Sequence, residues 1–147
     1  MSGAASTTPA WRVAAVPTRG DDRGQLSVIE KREVAPFAIA RIFYVHGLPT
    51  GAERGGHAHK TLEEFIVCTS GRLEVEVTDG RARDRVVLES PREGLYLPPM
   101  LWAVQRALEP GTGYFVLASH EYDADDYIRD YDEYRRRAGG GTGGGDE

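Results

Sequence analysis

Two histidines one residue apart, His57 and His59, are the side chains in this chain best suited to do chemistry. On a strand, residues i and i+2 point to the same face, so the two imidazoles would share one surface. If that surface lines an enclosed lumen, both rings occupy one cavity, and Glu64 can reach it from the following strand. Gly51, Gly55 and Gly56 allow the backbone to turn tightly into the histidine strand. Two chemistries suit this set. Two imidazoles and a carboxylate can hold iron, manganese or zinc. Neutral imidazoles can also act as general acids and bases, because their pKa lies near working pH. Arg54 and Lys60 flank the pair, and such a polar cluster is costly to bury without a use.

The elements that must position these residues are strands. Short β-type runs alternate with turn signals, as in a sandwich or barrel. The spacing predicts strands over 11–16, 25–31, 37–46, 62–69, 73–78, 84–89, 94–97, 101–107 and 114–119. The 37–46 run (FAIARIFYVH) is apolar on both faces, which predicts a strand between layers. The 73–78 run (LEVEVT) alternates, which predicts a strand half open to water. Residues 48–56 read as a Gly-rich loop. Helical character is confined to 123–136, where acids come first and arginines last. Tyr127, Tyr131 and Tyr134 would share one face of that helix and dock it on the barrel. The acidic stretch 123–126 is read as its capped start. His46 and His120 are read as structural, each lacking a clustered partner.

One core of 11–137 is expected, between a loose N-terminus (1–10) and a disordered Gly-rich tail (138–147). A net charge of −5 argues against a nucleic-acid partner. No apolar stretch approaches the length of a membrane span, and no signal core precedes the domain, so a cytoplasmic location is the default. A single cysteine, Cys68, excludes an intrachain disulfide and reads as a buried thiol.

The spacing of Gly51, His57, His59, Glu64 and Gly71 matches the first motif of the cupin superfamily. That pattern normally adds a histidine just after Trp102, where this chain has Ala103. Only His57, His59 and Glu64 would remain as metal ligands, in an open site. The runs RGGHAHK (54–60), GLYLPPMLW (94–102), VLAS (116–119) and YDADDYIRDYDEY (122–134) resemble a narrower group, the WxcM-like nucleotide-sugar 3,4-ketoisomerases. The resemblance runs from about Val13 to Tyr134.

It implies an all-β jelly-roll barrel of cupin type with a short C-terminal helix, forming a homodimer whose N-terminal strands cross the interface. The implied substrate is a dTDP-linked 4-keto-6-deoxyhexose, its ketone moved from C4 to C3 without metal or redox cofactor, ahead of an aminotransferase. His57 and His59 would carry the protons, with His57 as base. Arg54, Lys60 and Arg41 would face the diphosphate or the developing oxyanion. Tyr44 fits the family pattern at 41–44. Arg23 matches a pocket position in some members, or is a solvated turn arginine. Trp102, beside Pro98-Pro99 with Tyr96, would stack on thymine or pack in the core. Three departures stand out. Phe43 replaces a common Tyr, Glu64 a common Gln, and Ala103 a His or Arg. A metal-dependent cupin enzyme (a dioxygenase or isomerase), a non-catalytic sugar-nucleotide binding module and an epimerase are the rival readings.

Overall fold

The computed structural model describes residues 10–30 and 32–139. Apart from Ala10, Ala138 and Gly139, the expected loose N-terminus and Gly-rich tail lie outside the described residues. Twelve strands follow in chain order: β1 (Arg12–Ala15), β2 (Thr18–Asp21), β3 (Gly24–Ser27), β4 (Arg41–Leu48), β5 (Glu53–His59), β6 (Glu64–Ser70), β7 (Leu73–Thr78), β8 (Arg83–Leu88), β9 (Glu93–Leu97), β10 (Trp102–Ala107), β11 (Thr112–Ala118) and β12 (Tyr127–Ile128). Among the described residues one α-helix, α1 (Tyr131–Ala138), follows the strands.

The strands form two five-stranded sheets, ordered β1-β9-β6-β11-β4 and β12-β5-β10-β7-β8, plus the β2-β3 hairpin. All pairings are antiparallel. This is the all-β, cupin-type jelly-roll architecture with a short C-terminal helix.

Strand parity places the core. In β6, Ile66 and Cys68 turn inward and meet Leu73, Val75 and Val77 of the opposing sheet. Phe65 and Val67 turn outward and are covered by Val34, Ala35 and Phe37. Both faces are buried, which is why this run is apolar without alternation. Cys68 is buried as a free thiol.

Four expectations need correction. The apolar 37–46 run becomes strand only from Arg41, and β4 is an edge strand, not an interlayer one. Its Ile42 and Tyr44 are 59% and 72% exposed. The 48–56 loop shrinks to a turn, since β4 runs to Leu48 and β5 starts at Glu53. The alternating β7 is not half open. Glu74 is buried because Arg106 Nη1 lies 2.6 Å from its carboxylate, with Arg85 at 3.6 Å. Finally, 123–136 is not one helix. It is a 3-10 turn (Ala124–Asp126), the extended pair β12, and then α1. Strand pairing of Tyr127 with His59 and of Ile128 with Ala58 outweighs local helix propensity.

Tyr134 locks α1 down. It is fully buried, and its hydroxyl lies 2.9 Å from the Met100 carbonyl and 3.0 Å from the Thr78 carbonyl. Met100 is held at φ 66, and its amide donates to the His59 carbonyl at 2.8 Å. The helix thus braces the end of the histidine strand.

Candidate active site

The histidine strand enters the site through a β-bulge. Ala103 of β10 opposes His57, but its neighbour Val104 opposes Gly55, so Gly56 is the extra residue. Gly55 sits at φ 89, and a Cβ there would come within 2.8 Å of the Ala103 carbonyl oxygen, so only glycine fits. The bulge has a functional consequence. It resets strand parity, so Arg54 shares a face with its partner Gln105 as well as with the histidines. That face lines a narrow, largely enclosed cavity bounded by His57, His59, Glu64, Leu97, Ala103 and Gln105.

The imidazoles of His57 and His59 meet edge to face, with centroids 4.9 Å apart. Tyr127 packs against both rings, at 4.7 and 4.4 Å. The guanidinium of Arg129 lies 4.2 Å from the centre of the Tyr127 ring. Burial holds both histidines in the neutral form. The His57 pKa is lowered by desolvation and then by the Arg129 charge. That of His59 falls to about 4, through desolvation first and His57 second, against the pull of Asp126. His59 Nε2 lies 3.9 Å from Glu64 Oε2. Burial raises Glu64 to about 7, with the Arg41 charge working the other way. Near neutral pH the contact is therefore polar rather than ionic.

Arg41 enters from β4 with its Nε buried and without a hydrogen-bond partner. Its charge acts on both His59 and Glu64. Arg54 lies beside the Tyr114 hydroxyl, whose pKa burial raises to about 12. The structure therefore brings His57, His59 and Glu64 to one cavity, with Arg41 close enough for its charge to act on two of them and Arg54 exposed on the same strand face.

Four others lie elsewhere in this chain. Arg23 sits in the β2-β3 hairpin, fully paired with Asp21 at 2.6 Å. Tyr44 projects from the outer face of β4. Lys60 is exposed just beyond the histidine strand. Trp102 points away from the lumen and packs on Tyr131 and Tyr134, with centroids 5.1 and 5.7 Å away. Its neighbour Ala103 faces the histidines instead. Among the described residues, no three His, Cys, Asp or Glu side chains are grouped to hold a metal ion.

Sequence reasoning missed Tyr127, Asp126 and His120. The last two meet behind His59: Asp126 Oδ2 is 3.6 Å from His59 Nδ1 and 3.5 Å from His120 Nε2. A usable signal existed. The acidic stretch holds two capping aspartates, Asp123 and Asp130, each accepting from the amide two residues on. Two caps mark two separate turns with an extended link between them.

Comparison with known proteins agrees with this fold. The family model described as FdtA: WxcM-like, C-terminal, matches residues 10–139. The TDP-4-oxo-6-deoxy-alpha-D-glucose-3,4-oxoisomerase of Aneurinibacillus thermoaerophilus is 39% identical over 116 residues, spanning 79% of this chain and 84% of that protein. The crystal structure of a 3,4-ketoisomerase from Helicobacter canadensis superposes with a TM-score of 0.84 at 34% identity, covering 88% of this chain and 97% of the other. A third relative is a His-to-Asn variant of QdtA, a 3,4-ketoisomerase from Thermoanaerobacterium thermosaccharolyticum, in complex with TDP-4-keto-6-deoxyglucose. It matches with a TM-score of 0.84 at 30% identity, over 88% of this chain and 94% of that one.

Proposed function

The chain belongs to the WxcM-like family of sugar 3,4-ketoisomerases and is an isomerase of that class; on that premise we propose that it moves the ketone of dTDP-4-keto-6-deoxyglucose from C4 to C3 by proton transfer at its histidine pair. The observation that carries this reading is a pair of buried, neutral imidazoles in contact at the lumen.

The chemistry follows from the site. The C3 hydrogen lies beside a ketone and is weakly acidic. His57, neutral and half-buried, takes that proton, and the electron pair of the C3–H bond moves to form an enediolate. The C3 hydroxyl proton moves to the C4 oxygen, and return of a proton to the C4 carbon then leaves the ketone at C3 and a hydroxyl at C4. No atom is gained or lost, and no redox partner is required. His59, equally neutral, shares the proton traffic. Arg41 and Arg54 supply fixed positive charge where the enediolate oxygen develops, which is where preorganised charge lowers a barrier most. Glu64, whose pKa burial raises to about 7, is the carboxyl of this cavity able to act as a donor when protonated. Ala103, the cross-strand neighbour of His57 on the same face, places no polar side chain directly beside that ring.

The reading extends to assembly. The exposed outer face of β4, with Ile39, Ile42 and Tyr44, borders an apolar groove of about 540 Å³ that also includes Ile29 and Leu117. An apolar edge strand left open invites pairing. A second copy of the chain is its proposed occupant, giving a homodimer. No described helix is long and apolar enough to cross a membrane, and the cytoplasm is the proposed location.

The test is incubation of metal-stripped protein with dTDP-4-keto-6-deoxyglucose in deuterated water, followed by NMR. The expected product carries its ketone at C3 and deuterium at C4, and the same spectra give the C4 configuration. Absence of exchange at every carbon, even after metal is restored, would overturn the catalytic reading in favour of a binding module.

A further inference from the structure

We infer that Asp126 is a positioning residue for His59: its carboxylate receives the Nδ1 proton of that ring and so turns an unprotonated Nε2 toward the lumen. This rests on the isomerase reading for its catalytic consequence, but not for its geometry.

Three observations carry it. First, His59 Nδ1 is buried and has no hydrogen-bond partner. A buried polar atom left unpaired costs about 1–3 kcal/mol, and Asp126 Oδ2 stands only 3.6 Å away. Hydrogen bonds of this kind are often long in the unliganded enzyme and shorten when substrate closes the site. Second, the carboxylate is itself held rigidly. Oδ1 accepts from the Thr61 amide at 2.9 Å and the Thr61 hydroxyl at 2.7 Å. Oδ2 accepts from the Leu62 amide at 3.2 Å. Burial alone would raise its pKa, but these three donors together with His59 outweigh burial and hold it below the usual carboxylate range. Third, the opposite edge of the ring faces the cavity, where Nε2 looks toward Glu64.

His120 completes the arrangement on the solvent side. Its Nδ1 donates to the Glu121 carbonyl at 2.9 Å, which sets the ring's orientation. Its Nε2 then approaches Thr61 Oγ1 at 3.1 Å and Asp126 Oδ2 at 3.5 Å. Both Asp126 and His120 thus leave the structural background to which their sequence positions assigned them.

The choice of tautomer matters because only an unprotonated Nε2 can take a proton from the lumen side. An asparagine at 126 would give up the single bond from the Leu62 amide, keep its carbonyl on the two Thr61 donors and present its NH2 to His59. That group donates, so Nδ1 would become the acceptor and the proton would move to Nε2.

The test is nitrogen-15 NMR of the histidines in the full chain at neutral pH, alongside kinetics. In the wild-type protein His59 should be neutral with its proton on Nδ1. In Asp126→Asn the proton should move to Nε2. The kcat should fall by up to about ten-thousandfold, the scale expected when a base is held in the wrong tautomer, with KM within about threefold. A folded Asp126→Asn enzyme with wild-type kcat and an unchanged tautomer overturns the inference. So does an Nε2-protonated His59 in the wild type, which is decisive even if the variant fails to fold. Failure of the isomerase reading looks different: the wild type itself would leave the substrate unchanged.

Discussion

The two faces of the β5–β10 pair carry opposite duties. The inner face bears His57, His59, Ala103 and Gln105, small or polar side chains around a cavity. The outer face bears Ala58 and Trp102, sealed under Ile128, Tyr131 and Tyr134. One residue step along either strand separates chemistry from packing. The difference teaches why the site is rigid: the aromatic layer that buries the outer face also fixes the backbone from which the imidazoles project. It also separates the two kinds of experimental effect.

The sharpest way to break this comparison is to change one residue on each face. On the inner face, His57→Asn should lower kcat by about a thousandfold or more, with thermal unfolding within a few degrees of wild type. An equal loss of stability would show that the ring packs rather than reacts. On the outer face, Tyr134→Ala should cost about 3–5 kcal/mol of unfolding free energy in urea, the range for deleting a buried aromatic. It also frees the Met100 and Thr78 carbonyls. Activity should then fall in parallel with the folded fraction. Retention of full stability would mean that α1 does not brace the site.

A smaller effect sharpens the electrical side. Glu64 titrates near 7 when folded, above its ordinary value of 4.5. A raised folded pKa means that the native state binds the proton more tightly. Its stabilising contribution is full below about pH 4.5 and is lost as pH rises through 7. The loss amounts to roughly 3 kcal/mol. His59 works in the opposite sense: its folded pKa of about 4 means stability that is present above pH 6.5 and lost as pH falls through 4. The His59 contribution cancels between wild type and Glu64→Gln, so the variant should gain on wild type between pH 5 and 8. Denaturation at both pH values measures this, and parallel pH curves would contradict it. Smallest of all, Arg23→Ala should leave the urea midpoint indistinguishable from wild type, since its ion pair with Asp21 is exposed.

Much of the inner face was legible in the sequence because strand parity is a local rule. The i, i+2 spacing is enough to put His57 and His59 together, and Gly55-Gly56 announces an irregular backbone before them. What local rules do not contain is partnership. The runs around β4 and β6 are both apolar, yet β6 is central and buried twice over while β4 is an edge. Trp102 and Ala103 were distinguishable only once the bulge had set which of them turns inward. Tyr127 and Asp126 escaped notice for the same reason. Their stretch has the composition of a helix start, and it is the distant His59 strand that draws it into an extended pair.

The account's central claim is that the buried pair moves the C3 proton. The most direct measurement compares wild type, His57→Asn and His59→Asn with dTDP-4-keto-6-deoxyglucose in deuterated water, following each ring carbon by NMR. The account predicts deuterium at C4 of a 3-keto product for the wild type. It predicts no loss of the C3 hydrogen in His57→Asn, although the nucleotide sugar still binds. Exchange at C3 in both histidine variants at the wild-type rate would contradict it.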